Sequence, residues 1–240
     1  MPASATQAAK QPQQVRRMFG RIVRRYDRMN GLMSLGMDSR WRRHAASAAR
    51  PEGSVALDLG AGTGDLSMEL ARQGAAHVAG TDFSPEMLAA ARSKAAAAGI
   101  ANVSWTIGDA LHLPYPAETF DCVTNAFLLR NLADLPAGLA EMARVLKPGG
   151  RLVCLDMTQP PPGLFGAFYK LYFGRLMPPI AGLLSGDPAA YRYLPNSLQG
   201  FPNAAALSAL LADAGLAQIE LRTFVGGTVA LHAATKPSRG

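Results

Sequence analysis

A short apolar run that contains an acid and opens into a glycine-rich loop is the most restrictive feature of this sequence. Residues Val55 to Leu59 have the composition of a buried strand, and Asp58 lies within it. Gly60, Gly62 and Gly64 alternate directly afterwards, and an amphipathic, helix-like stretch follows. Glycine is required where backbone turns sharply and approaches a ligand without a Cβ atom in the way. The sequence therefore predicts a strand–loop–helix unit that presents backbone to a ligand.

Two classes of nucleotide ligand compete for such a loop. The dinucleotide fingerprint G-x-G-x-x-G needs a third glycine where this chain has Asp65, and Asp58 beside the loop would repel a pyrophosphate. An acid there suits a cationic ligand, such as S-adenosylmethionine with its sulfonium and α-ammonium groups. A loop without any ligand is the third alternative. We favour S-adenosylmethionine as the cofactor and expect Asp58, Gly60 and Gly62 to contact it.

Polar residues also stand where the next three strands are predicted to end. Asp82 follows Gly64 by 18 residues, and its carboxylate could accept hydrogen bonds from both ribose hydroxyls of an adenosine. After the third strand, Asp109 could accept from the adenine amino group while the Ala110 N–H donates to a ring nitrogen. Asn125 ends the fourth strand and is a further candidate contact to the donor. Because ligands of open parallel sheets bind at this edge, these residues are predicted to share one site.

Strand-like and helical patterns alternate from residue 55 onward. Strands are predicted at 55–59, 77–81, 103–107, 120–125 and 151–157, and helices at 65–73, 85–98 and 135–146. A helix over 203–214 and strands at 218–225 and 228–234 complete the pattern. The alternation predicts an α/β fold with a doubly wound, Rossmann-like, mainly parallel seven-stranded sheet and an antiparallel C-terminal edge hairpin. N-terminal helices and a helical insertion are predicted to accompany the sheet.

Length and composition predict one domain with short appendages. For the 240 residues we expect a disordered N-terminus over 1–14, a single domain over 15–236 and a tail over 237–240. Within the domain, 15–50 is predicted to be a helical segment and 160–200 a helical lid insertion. The four scattered histidines and two cysteines show no metal-ligand spacing, so no metal site is predicted.

The net charge of +7 is concentrated at one end of the chain. Residues 1–50 hold 11 Lys and Arg against 2 Asp and Glu, and the rest of the chain is slightly acidic. An anionic membrane surface or nucleic acid would attract such a segment, and a solvated helix face is the third interpretation. Residues 164–184 are apolar and aromatic, and they form either a helix packed on the domain or an apolar wall for a substrate or a bilayer.

The N-terminus and the cysteines bear on the cellular setting. Residues 1–14 lack the apolar core of a signal peptide, and Cys122 and Cys154 lie in apolar, strand-like runs. We therefore expect reduced thiols and a cytoplasmic protein. The basic segment adds the hypothesis of a peripheral contact with the anionic inner face of the cell membrane.

Several longer motifs are typical of one family. Besides the loop from Leu57 to Asp65, they are Tyr26-Asp27-Arg28-Met29-Asn30, Leu129-Arg130-Asn131, Arg144 to Gly150, Tyr191-Arg192-Tyr193-Leu194 and Val229 to His232. Over about 15–236 the chain resembles the C-methyltransferases of ubiquinone and menaquinone biosynthesis (UbiE/MenG type), which are class I S-adenosylmethionine-dependent methyltransferases. The resemblance implies that fold and the methylation of a ring carbon of a reduced polyprenyl benzo- or naphthoquinol, with demethylmenaquinol as the expected substrate.

The resemblance also implies residue roles and partners. Four residues that match the family's motifs are expected to contact the methyl donor: Thr63, Asp82, Asp109 and Ala110. Among the motif residues, three tyrosines could close the site over the substrate or be packed core residues of the lid: Tyr26, Tyr191 and Tyr193. Arg130 and Asn131 are the expected catalytic residues. The expected partner is a lipophilic prenylated quinol and not a nucleic acid, and a homodimer remains open.

The chemistry gives Arg130 a defined task. The quinol becomes nucleophilic at carbon when a hydroxyl proton leaves, and in-line displacement needs that carbon about 3–3.5 Å from the methyl group. Arg130 could stabilise the quinolate oxygen or order a water that takes the proton, with Asn131 orienting it. Arginine itself is too basic to act readily as the general base that removes this proton. A structural salt bridge to a loop acid is the alternative for Arg130.

Two residues depart from the family's Ser-Phe-Gly-Leu-Arg-Asn pattern. Ala126 stands where a serine would contact the donor, and Leu128 stands where a glycine would leave space at the substrate entry. Both bear on the exact substrate more than on the type of reaction. The alternative functions are methylation of another small molecule or of RNA, and a protein that binds the donor without catalysis.

Overall fold

The computed structural model describes Gly31, residues 34–159, Gly163, residues 197–198 and residues 200–238. Three predictions lie outside these residues: the disordered end at 1–14, the lid tyrosines Tyr26, Tyr191 and Tyr193, and nearly all of the 160–200 insertion.

Seven strands form one twisted sheet. They are β1 (Val55–Leu59), β2 (His77–Asp82), β3 (Val103–Ile107), β4 (Phe120–Ala126), β5 (Leu146–Met157), β6 (Ala217–Phe224) and β7 (Val229–Thr235), in the order β3-β2-β1-β4-β5-β7-β6. The first five are parallel, whereas β7 runs antiparallel to both β5 and β6. The chain order reverses between β1 and β4, which is the point where open α/β sheets bind ligands. This architecture confirms the predicted fold class.

In the part of the chain that the structure describes, five helices flank the sheet: α1 (Met37–Ala49), α2 (Asp65–Arg72), α3 (Pro85–Ala97), α4 (Leu135–Val145) and α5 (Ala204–Asp213). Side-chain caps begin three of them. Ser84 caps α3 by accepting from the Met87 N–H, with Pro85 in the first turn. Asp134 and Asn203 cap α4 and α5 in the same way. These caps satisfy N–H groups that a helix leaves without internal partners.

The sheet separates two apolar layers. Alternate residues of one strand face opposite sides, so Leu57 packs in one layer and Ala56 in the other. Helices α4 and α5 cover the first layer with side chains such as Leu139 and Leu211. Helices α1 and α2 cover the second, where Trp41 is among the buried residues. Helix α1, from the N-terminal segment, is therefore part of the folded core.

The fifth strand differs most from its predicted bounds. It begins at Leu146 and not at residue 151, because Leu146 already pairs with Phe120. The sequence from Lys147 to Gly150 forms an irregularity between that pair and the pairing of Cys122 with Arg151. No helix in the described part of the chain is both long and apolar enough to cross a membrane.

Candidate active site

A cleft opens at the carboxyl edge of the sheet, above the reversal point between β1 and β4. Leu59, Gly60 and Gly62 form its floor. One wall, here called the acidic half, follows β2 and β3 and comprises Thr81, Asp82, Phe83, Met87, Gly108, Asp109, Ala110 and Leu111. The other wall, here called the apolar half, follows β4 and comprises Ala126, Phe127, Leu128, Asn131, Leu132 and Ala133. Strands from three separate parts of the sequence thus meet in one concave site.

Asp82 connects the glycine loop to the start of α3. Its two carboxylate oxygens accept from the Gly62 N–H at 2.8 Å and from the Ser84 N–H at 2.9 Å. Burial raises the pKa of the Asp82 carboxyl, and the backbone N–H groups of Ser84, Gly62 and Phe83 offset only part of that effect. Each carboxylate oxygen can accept a second hydrogen bond. Asp82 is therefore fixed in the cleft lining and keeps acceptor capacity, and its contact with a ribose stays a prediction.

Asp109 and Ala110 line the same wall. Asp109 is exposed and accepts from the Leu111 N–H at 3.0 Å, which makes a tight turn after β3. Phe83 and Met87 give this wall apolar surface beside the two acids. An apolar wall that also carries polar groups is suited to a purine.

The glycine loop forms the floor of the cleft because its backbone lies very close to neighbouring groups. Gly60 has φ +70°, a left-handed conformation that favours glycine, and its N–H donates to Thr81 O at 2.8 Å. A Cβ atom on Gly60 would lie 2.9 Å from Leu128 Cδ1. Leu128, the residue that replaces the family's glycine, therefore packs directly on the loop. It lies where the apolar half meets the floor of the cleft.

Asp58 lies beneath the loop, outside the set of residues that line the cleft. It is 1% exposed and accepts from Ser67 Oγ at 2.5 Å and from Thr124 Oγ1 at 3.3 Å. Burial raises the pKa of the Asp58 carboxyl to about 7, against the opposing effects of the Ser67 and Thr124 hydrogen bonds and of the Arg42 charge. Asp58 can thus influence a cationic ligand through its charge, whereas the geometry gives it no direct access.

Two further predicted donor contacts also lie behind the lining. Thr63 is buried and accepts from Lys94 Nζ at 3.4 Å, which turns it towards α3. Asn125 is fully buried, and its Nδ2 donates to Cys154 Sγ at 3.2 Å. Successive side chains alternate across a strand, so Asn125 points into the core under α4 while its neighbour Ala126 reaches the cleft.

Arg130 and Asn131 follow β4 on a short 3₁₀ turn, and they have different surroundings. Asn131 lines the cleft, and its Nδ2 donates to Phe127 O at 3.1 Å. Arg130 is not part of the described lining, and its guanidinium forms an ion pair with Asp156, which is 2% exposed at the end of β5. A salt bridge is the alternative that the sequence left open for Arg130, although the acid comes from a strand and not from a loop.

Sequence reasoning missed the aromatic residue between these groups. Phe127 lines the cleft, and the guanidinium carbons of Arg42 and Arg130 lie 5.4 and 5.5 Å from its ring centroid. Arg42 comes from α1, so no local pattern connects it to the cleft. Phe83, directly after β2, was also missed, and its position at a strand's carboxyl end was a usable signal.

Solved structures with the same architecture have diverse chemistry. The 4+2 cyclase SpnF aligns with a TM-score of 0.71 over 100% of this chain and 99% of its own, at 19% identity. An S-adenosylmethionine-dependent methyltransferase from Thermotoga maritima, described as a possible histamine N-methyltransferase, aligns with a TM-score of 0.66 over 92% of this chain and 99% of its own, also at 19% identity. At such identities the likeness establishes the fold alone.

Curated relatives are much more similar. The demethylmenaquinone methyltransferase of Thermus thermophilus is 48% identical over 92% of this chain and 100% of its own length. Proteins of the same name from Deinococcus radiodurans and Mycobacterium marinum are 47% and 44% identical, over 85% and 95% of this chain and 85% and 96% of their own. The model of one family matches residues 6–236. The resemblance inferred from the motifs is therefore confirmed: the chain belongs to the ubiE/COQ5 methyltransferase family.

Proposed function

We propose that this S-adenosylmethionine-dependent methyltransferase methylates a ring carbon of a reduced, prenylated quinol, with demethylmenaquinol as its substrate in menaquinone biosynthesis. The observation that carries the proposal is the division of one cleft into a wall with two acids and a wall of apolar side chains. Relatives named demethylmenaquinone methyltransferase, at 43–48% identity over most of the chain, support the choice of a naphthoquinol.

The acidic half fits the donor. Asp82 can accept from ribose hydroxyls, and Asp109 and the Ala110 N–H can meet the edge of the adenine, which Phe83 and Met87 would sandwich. Gly60 and Gly62 leave the floor without Cβ atoms, so the methionine part can pass close to the backbone. Bound S-adenosylmethionine supplies an electrophilic methyl group on a cationic sulfur. Thr63, Asp58 and Asn125 then support the donor site from behind.

The apolar half fits the acceptor. Leu128, Leu132 and Ala133 offer surface to a hydrocarbon ring and exclude water from it. Exclusion of water strengthens the electrostatic interactions that remain in the site. Asn131 is the polar side chain on this wall, and its amide can orient a quinol hydroxyl or a water molecule.

Arg130 contributes positive charge from behind this wall. Asp156 fixes its guanidinium through the buried ion pair. The charge stabilises negative charge that develops on the quinol oxygen, either directly after local rearrangement or through a water that removes the proton. Because the ground-state quinol is neutral, this interaction is strongest in the transition state and raises the rate of the chemical step.

The substrate's prenyl chain gives a reason for membrane contact. In the described part of the N-terminal segment, Arg40, Arg43 and Arg50 are exposed. We expect the protein to partition onto anionic vesicles, less so in salt and less so when Arg24 and Arg25 are neutralised. Equal partition onto neutral and anionic vesicles would contradict an electrostatic contact.

A mass-spectrometric assay tests the function. The purified protein is given S-adenosylmethionine with reduced demethylnaphthoquinol, reduced benzoquinol, the oxidised form of each, or RNA. A mass gain of one methyl group on the reduced naphthoquinol alone is the expected result. Asp82→Ala serves as the control with an impaired donor site. Methylated RNA would establish the alternative acceptor, and equal turnover of oxidised and reduced quinone would contradict the proposed chemistry.

A further inference from the structure

We propose that Arg42 of helix α1 is a positioning residue for methyl transfer, acting through the ring of Phe127 on the apolar half of the cleft. The inference rests on the proposed function for its kinetic test. It assigns part of the basic N-terminal segment to the active site and not to a surface contact.

The backbone of Phe127 is the first observation. Its φ of +61° is in the left-handed region, which is rare for a bulky residue and costs conformational energy. Such a conformation persists only where the surroundings hold it. The Phe127 N–H donates to Leu155 O at 2.7 Å, and the Phe127 carbonyl accepts from Asn131 Nδ2 at 3.1 Å. This turn determines the direction in which the chain leaves β4 towards Asn131.

The ring of Phe127 is held as well as its backbone. The guanidinium carbons of Arg42 and Arg130 lie 5.4 and 5.5 Å from the ring centroid, within the range of cation–π attraction. Each cation is fixed by a carboxylate, Arg42 by Asp38 and Arg130 by Asp156. The ring therefore contacts two ion pairs. One lies within helix α1, and the other joins the turn after β4 to strand β5.

Arg42 differs from its neighbours on α1. It is 8% exposed, whereas the side chain of Arg43 is 67% exposed and approaches Glu69 no closer than 3.9 Å. Ser34 Oγ donates to Asp38 at 2.8 Å, so the carboxylate that holds Arg42 is itself oriented. Burial of a charge is unfavourable unless it is paired, and here the paired charge is directed at an aromatic residue of the cleft.

The consequence for the reaction follows from these contacts. Arg42 restrains the Phe127 ring, and Phe127 O orients the Asn131 amide that lines the cleft. Without Arg42 the ring gains freedom, and the apolar half no longer holds the acceptor at a fixed distance from the methyl group. Displacements of about 1 Å in such positions can lower a rate about a hundredfold. The donor's contacts in the acidic half stay unchanged.

The test compares Arg42→Met, Arg42→Lys and the matched control Arg43→Met in the full chain. For Arg42→Met we expect kcat at saturating donor to fall about tenfold to a hundredfold. Because the Arg42 charge also lowers the pKa of the Asp58 carboxyl, donor Kd is compared at about pH 9, where that carboxyl is ionised in both proteins, and it should stay within about threefold of wild type. Arg42→Lys keeps the cation near the ring and should recover part of the loss. Arg43→Met should keep the kcat and donor Kd of wild type when the quinol is offered in detergent, so that membrane partition plays no part. If Arg42→Met keeps kcat within about threefold, or if Arg42→Lys is no better than Met, the proposal fails.

A second measurement does not depend on activity. The nine phenylalanines are replaced by 4-fluorophenylalanine, and the Phe127 resonance is identified from its loss in Phe127→Leu. Arg42→Met should shift or broaden that resonance, and Arg43→Met should not. In kinetics, Phe127→Leu combined with Arg42→Met should be no slower than Phe127→Leu alone, because both act through one ring. An unmoved resonance overturns the proposal, whereas a wild-type protein inactive on every quinol overturns only the proposed function.

Discussion

The two halves of the cleft are held by different kinds of contact. In the acidic half the contacting groups are close in sequence, whereas in the apolar half they are far apart. Asp82 is held by N–H groups of Gly62 and Ser84, and Asp109 by that of Leu111, all within one βαβ unit or one turn. Phe127 is held instead by Arg42 from α1, Leu155 from β5 and the Arg130–Asp156 pair. The acidic half is thus held locally and by backbone groups, while the apolar half depends on distant, charged side chains. Substitutions in the two halves should therefore separate donor binding from chemistry.

The largest expected effect is on the acceptor side. Arg130→Ala should lower the single-turnover methylation rate about 10²–10³-fold, because a charge that meets the developing oxyanion is lost. Donor affinity should stay near wild type, since the donor's contacts lie in the acidic half. Arg130→Lys keeps the charge without the planar fork and should still be impaired. Retention of turnover within about threefold, or loss that only follows unfolding, would assign Arg130 a structural role.

The reciprocal effect is expected on the donor side. Asp82→Ala should weaken S-adenosylmethionine binding by about 1.5–3 kcal/mol, the range for hydrogen bonds to a charged group, which is about tenfold to a hundredfold in Kd. The rate at saturating donor should change less than in Arg130→Ala. Titration calorimetry measures the first quantity, with Asp134→Ala at the α4 cap as a control for a lost carboxylate elsewhere. Unchanged affinity would remove Asp82 from the donor site.

A pH dependence of about tenfold is expected from Asp58, beneath both halves. Its pKa of about 7, raised by burial, means that the free protein binds a proton there below pH 7. A cationic donor favours the charged carboxylate, so binding releases that proton, and affinity should rise about tenfold from pH 6 to pH 8. S-adenosylhomocysteine, which lacks the sulfonium charge, should show a smaller rise.

Asp58→Asn is the control for this dependence, and it should flatten the pH profile of donor affinity. The raised pKa of Asp58 also makes the stability of the folded protein depend on pH. A carboxyl whose folded-state pKa is raised binds more protons when folded, so its contribution to stability falls as pH rises from about 3.8 to about 7. A wild-type profile that is already flat between pH 6 and pH 8 would contradict the proposed charge coupling.

The smallest expected effect is on substrate choice at Leu128. Leu128→Gly removes the side chain that packs on Gly60 and opens the boundary between floor and apolar half. The ratio of kcat/KM for naphthoquinol over benzoquinol should change about threefold to tenfold, as for modest changes of apolar volume in a pocket. Leu135→Ala, which removes a leucine side chain outside the cleft lining, is the matched control. An unchanged ratio would show that Leu128 does not limit the acceptor.

Much of the acidic half could be predicted because its determinants are close in sequence. The alternation of Gly60, Gly62 and Gly64, the spacing to Asp82 and the position of Asp109 after β3 all follow local rules of strand ends and turns. The structure brings Gly60, Gly62, Asp82 and Asp109 into one cleft, and their contacts with the donor stay a prediction. Thr63, Asp58 and Asn125 were also predicted to contact the donor, because they lie in the loop or near a strand end. In the structure their side chains point behind the cleft lining. A sequence does not show to which side a residue at a loop or strand end turns.

By itself the sequence determined the fold class, the family and the edge of the sheet where the site lies, because hydrophobic period, glycine spacing and caps act over a few residues. Only the tertiary structure decided which charges meet. Arg42 is one of 11 basic residues before position 51, and nothing local separates it from the exposed Arg43. Packing of α1 against the sheet buries Arg42 beside Phe127, and pairing of β4 with β5 brings Asp156 to Arg130. Such contacts depend on the arrangement of whole elements, so they appear only once the chain has folded.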